Sequence, residues 1–220
     1  MRQVAVLLAF AFAATTPAVP TLGRQWAPNQ KGYGKVKPRT IDNGGDPTGL
    51  VDHVRWRRWG ERRAIGSGFG YWVWPGQGVA GGSIRTRAVV VAYDLGRCRG
   101  RRAYRKIHWF FPKYGESFDP QWWYINICTG GEPRSMPSRK CGSVTVRSPR
   151  GRATDIEASS VTCRKARRIV ASSPSVRYLH TGGRFRHAGL YCGTPGDRGA
   201  YPLFECARGR VDILYEVTGS

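Results

Sequence analysis

Residues 89–111 read VVVAYDLGRCRGRRAYRKIHWFF, and this stretch decides the fold class. Residues alternate along two runs within it, 89–95 and 103–111, with the period of two that is typical of a β-strand. A third run, residues 122–128, is rich in aromatic and β-branched side chains, and Gly, Pro and Asp separate the three runs. Short runs bounded by turn residues predict a mainly β chain, with an antiparallel β-sandwich or barrel over residues 41–130.

The pattern changes after residues 131–140, a polar segment with prolines that predicts a hinge. Beyond it, strands are predicted over residues 141–146, 154–158, 189–192, 203–206 and 211–217. Thr162 is expected to cap a helix over residues 163–172, whose apolar residues share one face. No helix is predicted before residue 155. This order predicts a small, disulfide-bonded α+β module with one helix over residues 141–220.

The N-terminus carries the pattern of a secretory signal peptide over residues 1–18. Arg2 precedes an apolar run and then small residues, with cleavage predicted after Ala13 or Ala18. The run is shorter than the roughly 20 apolar residues that a membrane-spanning helix needs. Residues 19–40 hold prolines and glycines with few apolar clusters, which predicts a flexible linker. The mature protein is therefore expected outside the cell.

Export changes the interpretation of the 6 cysteines, which are expected to form disulfides rather than to bind a metal. Cys98 and Cys128 lie in the β domain and are predicted to pair with each other. The other four lie beyond the hinge: Cys141, Cys163, Cys192 and Cys206. Three pairings of these four are open, and the one we favour joins Cys163 to Cys206.

The chain is strongly basic, with 36 Lys and Arg against 14 Asp and Glu and a formal net charge of +22. The charge is spread over every segment, whereas a dedicated nucleic-acid arm concentrates it in one block. The simpler interpretation is a generally basic exported protein. Cell-wall or other anionic polymers are the expected partners, and nucleic acid stays open as an alternative. The oligomeric state stays open as well.

The densest motif is WRRWG at residues 56–60, followed by alternating glycines and by YWVWP at residues 71–75. A strand-like segment follows the glycines where phosphate binding would need a helix, so no nucleotide site is predicted. The simpler interpretation is a β-hairpin whose glycines allow close packing against indole rings. Exposed aromatic rings would instead stack on sugars. The candidate binding residues are Trp56, Trp59, Tyr71, Trp72, Trp74, Trp122 and Trp123.

We predict no catalytic residue, no metal site and no cofactor. The histidines form no metal-binding pair, and no Gly-x-Ser-x-Gly nucleophile motif is present. The leading hypothesis is therefore a secreted, non-catalytic protein that binds envelope or extracellular polyanionic or glycan material. The alternative is an extracellular hydrolase of cell-wall or glycan polymers, with a carboxylate pair drawn from Asp94, Glu116 and Asp119.

Several motifs together carry a resemblance. They are Trp56-x-x-Trp59-Gly60 with Ala64-x-Gly66-x-Gly68, Tyr93-Asp94-Leu95-Gly96-x-Cys98, and Val161-Thr162-Cys163 with Cys206-x-Arg208-Gly209. In this combination the chain resembles a group of secreted, actinobacterial-type proteins of unknown function. The resemblance implies export, oxidised cysteines and two units, and it transfers no catalytic residue.

Overall fold

The computed structural model describes residues 18–120, 124–131, 137–147, 150–179, 183–194 and 203–219. The fold is mainly β, as the alternating pattern predicts. The strands within these ranges form two sheets of seven strands each. We call residues 18–131 the first unit and residues 137–219 the second unit.

The first unit contains the first sheet. Its strands are β1 (Thr21–Leu22), β2 (Ile41–Asp42), β3 (Leu50–Arg58), β4 (Ala64–Val73), β5 (Ser83–Cys98), β6 (Arg101–Phe110) and β7 (Ile125–Asn126). The order is β1-β6-β5-β4-β3-β2, with β7 also paired to β6. β1 runs parallel to β6, and the other pairs are antiparallel. A four-residue helix, α1 (Val79–Gly82), precedes β5 and was not predicted, because its sequence VAGG has no helical pattern.

Alternation along β4 separates a buried inner face from an outer face. Alternate positions from Ala64 to Trp72 are buried, and the residues between them are partly or fully exposed. The glycines of the motif lie on the inner face. A Cβ atom at Gly66 would lie 3.0 Å from the ring of Trp56, and one at Gly68 would collide with the carbonyl oxygen of Asp52. These glycines therefore allow β3 and its indole ring to approach β4 closely.

Residues 19–40 are not a linker in this structure, because they pack onto the first sheet. Leu22 is fully buried, and the rings of Trp26 and Tyr33 lie 4.5 Å apart. The backbone N–H of Gly23 donates to the carbonyl oxygen of Tyr104. The packing of this segment could not be predicted from the sequence, because its few apolar side chains are scattered among prolines and glycines without the period of a strand or a helix.

The second sheet follows the prediction more closely. Its strands are β8 (Arg139–Lys140), β9 (Val144–Arg147), β10 (Arg150–Ser159), β11 (Arg184–His187), β12 (Leu190–Gly193), β13 (Leu203–Arg208) and β14 (Val211–Gly219). The order is β11-β12-β13-β14-β10-β8, with β9 also paired to β10. Helix α2 (Cys163–Ala171) begins after Thr162, whose side chain accepts a hydrogen bond from the N–H of Lys165. Its buried residues Ala166, Ile169 and Val170 pack into the core of this unit.

Three disulfides join the six cysteines, and none of those in the described residues is free. Cys98 pairs with Cys128, as predicted. The favoured pairing of Cys163 with Cys206 is wrong: Cys163 pairs with Cys141, and Cys206 with Cys192. The reason is strand register, since Cys192 and Cys206 are directly opposite each other on β12 and β13, with Cα atoms 4.1 Å apart.

The two units share a packed contact. Tyr191 of β12 is only 8% exposed and belongs to the core of the first unit, where its ring lies 5.2 Å from those of Trp72 and Trp74. The backbone N–H of Gly76 donates across this contact to a carboxylate oxygen of Glu205, at 2.7 Å. Only part of the predicted hinge at 131–140 lies in the described residues. None of the helices in the described ranges is long and apolar enough to span a membrane.

Candidate functional site

Most of the predicted aromatic residues pack inward instead of forming a platform. Trp72 is 5% exposed and stacks on Tyr114, with ring centroids 3.7 Å apart. Trp56 and Trp59 contact each other edge to face and donate their indole N–H groups to the carbonyl oxygens of Pro38 and Pro20. Each indole is therefore held by an internal acceptor.

The remaining aromatic candidates divide into three cases. Trp74 is half-buried and donates its indole N–H to the carbonyl oxygen of Cys192 across the contact between the units. Tyr71 is half-buried on the outer face of β4. Trp122 and Trp123 lie outside the described residues. Of the predicted aromatic set, Tyr71 is thus the described member that lies on an outer face of the sheet.

The three candidate carboxylates each have a different structural partner. Asp94 forms an ion pair with Arg105 at 2.6 Å, and Asp119 forms one with Arg210. Glu116 accepts hydrogen bonds from the backbone of Phe111 and the indole of Trp72. Burial raises the pKa of Glu116, and these two hydrogen bonds partly oppose the shift. These contacts are those of ion-pair partners and a buried acceptor.

The histidines are dispersed. His108 is buried on β6, and burial lowers its pKa to about 4. His187 lies 3.0 Å from the hydroxyl of Ser172 at the end of α2. His180 lies outside the described residues. Within the described residues, no group of three or more His, Cys, Asp or Glu side chains could hold a metal ion.

His53 lies in a β-bulge on the outer face of the first sheet. Asp52 is opposite Phe69, and Arg55 is opposite Ser67, so β3 advances three residues where β4 advances two. The extra residue, His53, has a left-handed backbone with φ of 51°. A bulge bends its strand and changes the direction of a side chain, and bulges are frequent beside functional sites. The bulge is therefore a candidate site on structural grounds.

A depression of about 310 Å³ lies at this bulge. We name it the bulge depression, and its lining residues are His53, Arg55, Ser67, Gly68, Phe69 and Arg87. Arg87 lies on β5 directly opposite Phe69. Phe69 is 37% exposed, which is unusual for a large apolar side chain in this chain. The depression thus places cationic and apolar groups together.

Part of the outer face is covered, which limits the open surface to β3, β4 and the first half of β5. Val91, Tyr93 and Phe110 lie under the side chains of Phe118 and Tyr124. The bulge depression lies outside this covered area.

The depression has an excess of positive charge. Asp52 lies beside it, with Oδ1 at 2.8 Å from a guanidinium nitrogen of Arg85 and 3.2 Å from Nδ1 of His53. Burial raises the pKa of Asp52, but the hydrogen bonds and the charges of Arg85 and His53 together lower it by a larger amount, so the pKa lies below its usual value. The positive charge of Arg85 therefore balances the negative charge of the Asp52 carboxylate. Arg55 and Arg87 have no carboxylate partner among the residues that the structure describes.

The arrangement is suited to binding an anion beside an apolar ring. A guanidinium offers planar, paired N–H donors that match a carboxylate or a phosphate. Phe69 offers an apolar surface, and the guanidinium of Arg85 already lies 4.7 Å from its ring centroid. The hydroxyl of Ser67 and the imidazole of His53, whose side chain is 66% exposed, add polar contacts.

Comparison with known proteins gives no match: no family model, no curated protein and no solved structure matches this chain. The site therefore has to be judged on its geometry.

Proposed function

We propose that this chain is a secreted, non-catalytic protein that binds anionic polymers outside the cell, cell-wall polymers among them, through the outer face of its first sheet. The observation that carries the proposal is the pair Arg55 and Arg87, which lie beside an exposed Phe69 without carboxylate partners among the described residues. Guanidinium groups without an internal partner on an open sheet face attract polyanions, because the anionic groups of the polymer can replace the water molecules bound to the guanidinium groups.

Secretion is supported by the N-terminal pattern of the sequence and by the three disulfides. Disulfides persist in oxidising compartments and are rare where thiols are kept reduced. The net charge of +22 adds long-range attraction to any polyanion at low ionic strength. Attraction by the net charge is not specific to one part of the protein surface, whereas the arginines of the bulge depression offer a defined binding position.

The test is retention of the full secreted chain on purified cell-wall material and on an immobilised anionic polysaccharide, at low and high salt. The double variant Arg55→Gln/Arg87→Gln removes the two guanidinium groups that have no carboxylate partner in the described part of the chain. Its matched control, Arg164→Gln/Arg168→Gln, removes the same charge from the exposed side of α2. We expect at least about tenfold weaker binding for the first variant, since even one hydrogen bond to a charged group contributes about 1.5–3 kcal/mol and about 1.4 kcal/mol corresponds to a factor of ten.

The control should lose much less than the site variant. Equal losses in the two variants would show that total charge, rather than this face, determines binding. Absence of retention of the unmodified protein at low salt would overturn the proposal altogether.

A further inference from the structure

The bulge depression combines more than charge. It holds an exposed aromatic ring, a hydroxyl and an imidazole between two arginines, within about 310 Å³. Pockets that enclose small ligands start at roughly 300 Å³. A space of this size accommodates one ring-sized unit of a polymer rather than a long segment of it.

The positions of the two arginines define where such a unit would lie. Arg55 is on β3 and Arg87 on β5, the strands on either side of β4. Adjacent strands are about 4.8 Å apart, so the two backbones are separated by roughly twice that distance. Ser67 and Phe69 lie between them on β4. A ring seated over β4 therefore lies between the two arginines, whose long side chains can both extend toward one anionic group on the ring.

The chemistry of the lining favours a hydroxylated ring over a flat base. The guanidinium of Arg85 already lies over Phe69, and the ring of His53 meets Phe69 edge to face at 6.5 Å. Stacking of a nucleobase needs an open aromatic face, usually on several aromatic side chains. The C–H groups of a sugar can pack against the exposed part of Phe69, and its hydroxyls can bond to Ser67 and His53.

We propose that the bulge depression binds one anionic sugar unit, a pyranose ring that carries a carboxylate or a phosphate. The inference rests on the proposed function, and it names the class of polymer unit that the face recognises. Arg55 and Arg87 bind the anionic group, Phe69 packs against the ring, and Ser67 and His53 bond to its hydroxyls.

The experiment titrates the full secreted chain with five probes: glucuronate, glucose 6-phosphate, glucose, inorganic phosphate and AMP. Binding is followed by NMR chemical shifts and by calorimetry. We expect glucuronate, glucose 6-phosphate or both to bind at least about tenfold more tightly than glucose and inorganic phosphate. Which of the two binds identifies the anionic group. If neither anionic sugar binds more tightly than inorganic phosphate, or if AMP binds more tightly than both anionic sugars, the inference is overturned.

Two variants test the proposed packing of Phe69 against the sugar ring. Phe69→Ala should weaken binding of the anionic sugar about tenfold while leaving binding of inorganic phosphate unchanged. Leu203→Ala is the matched control, because Leu203 is another exposed large apolar residue, 44% exposed, on the second sheet. It should change neither affinity. Equal effects of the two variants on sugar binding would contradict the role of Phe69.

Polymer retention is measured in parallel, which separates this inference from the proposed function. Retention of the polymer without preference for ring-bearing anions contradicts the sugar site alone. Absence of retention of the unmodified protein on the polymer at low salt contradicts both proposals.

Discussion

Nδ1 of His53 lies 3.2 Å from a carboxylate oxygen of Asp52, the residue that precedes it in the chain. In a regular strand, consecutive side chains point to opposite faces of the sheet. The bulge and the left-handed backbone of His53 bring the two side chains together beside the depression. A local departure from strand geometry therefore builds the candidate site.

The left-handed backbone of His53 should cost stability. A non-glycine residue in this conformation is less stable than glycine by about 1 kcal/mol. We expect His53→Gly to be more stable than His53→Ala by about that amount, with both variants binding anionic sugar more weakly than the unmodified chain. Urea unfolding and calorimetric titration measure the two effects. A variant pair of equal stability would show that the backbone at this position is not strained.

The stability of the fold should depend on pH through Asp212. Asp212 is half-buried on β14, and one of its carboxylate oxygens, Oδ1, has no hydrogen-bond partner among the residues that the structure describes. Burial and, secondarily, the charge of Glu205 raise its pKa to about 6. The folded state therefore binds the proton more tightly than the unfolded state does. Stability from this group is present at low pH and is lost as the pH rises from about 4 through about 6.

Asp212→Asn should remove this pH dependence and should be more stable than the unmodified chain above pH 6, by on the order of 2 kcal/mol. Denaturant unfolding between pH 4 and pH 7.5 measures it. Asp155→Asn is the control, since Asp155 is exposed on the neighbouring strand β10, and asparagine tolerates its left-handed backbone. An unchanged pH profile in Asp212→Asn would contradict the shift.

The disulfide pairing is open to direct chemical test. Proteolysis under non-reducing conditions followed by mass spectrometry should give Cys141 linked to Cys163 and Cys192 linked to Cys206. The double variant Cys192→Ala/Cys206→Ala should lose about 3 kcal/mol of stability, because the bridge closes a loop of about 15 residues. Recovery of a peptide that links Cys163 to Cys206 would contradict the structure.

Tyr191 should couple the unfolding of the two units. Tyr191→Ala would leave a cavity among Trp72, Trp74 and Tyr114 and should cost about 3 kcal/mol. We expect calorimetry to show one thermal transition in the unmodified chain and two in this variant. Tyr191→Phe keeps the packed ring and serves as the control. A single, unshifted transition in Tyr191→Ala would show that the contact does not connect the units.

Local patterns predicted local structure. Helix α2 and its cap at Thr162 followed from a hydroxyl residue before an amphipathic run, and five strands of the second unit, β9, β10, β12, β13 and β14, followed from short apolar runs. The two short strands β8 and β11 were not predicted. Relations between distant segments were not predictable in this way. Cys192 faces Cys206 because of the register of β12 and β13, and Leu22 is buried because β1 pairs with β6, nearly 80 residues later in the chain.

In the candidate site too, the local arrangement was predictable from the sequence and the relation between distant segments was not. The sequence IRTR at residues 84–87 places Arg85 and Arg87 on one face of a strand, and this signal was available. The position of Arg55 beside them depends on the extra residue in β3, which no sequence pattern marked. The aromatic motif predicted a binding surface instead, and most of its described rings pack in or against the core.

Tyr191 has a consequence for how this chain can be inherited and made. A residue of the second unit completes the core of the first, so the first unit cannot be moved intact into another protein as an independent module. Its core also closes only after residue 191 has been synthesised, some 60 residues after the end of that unit. The two units are therefore constrained to evolve, and to finish folding, together.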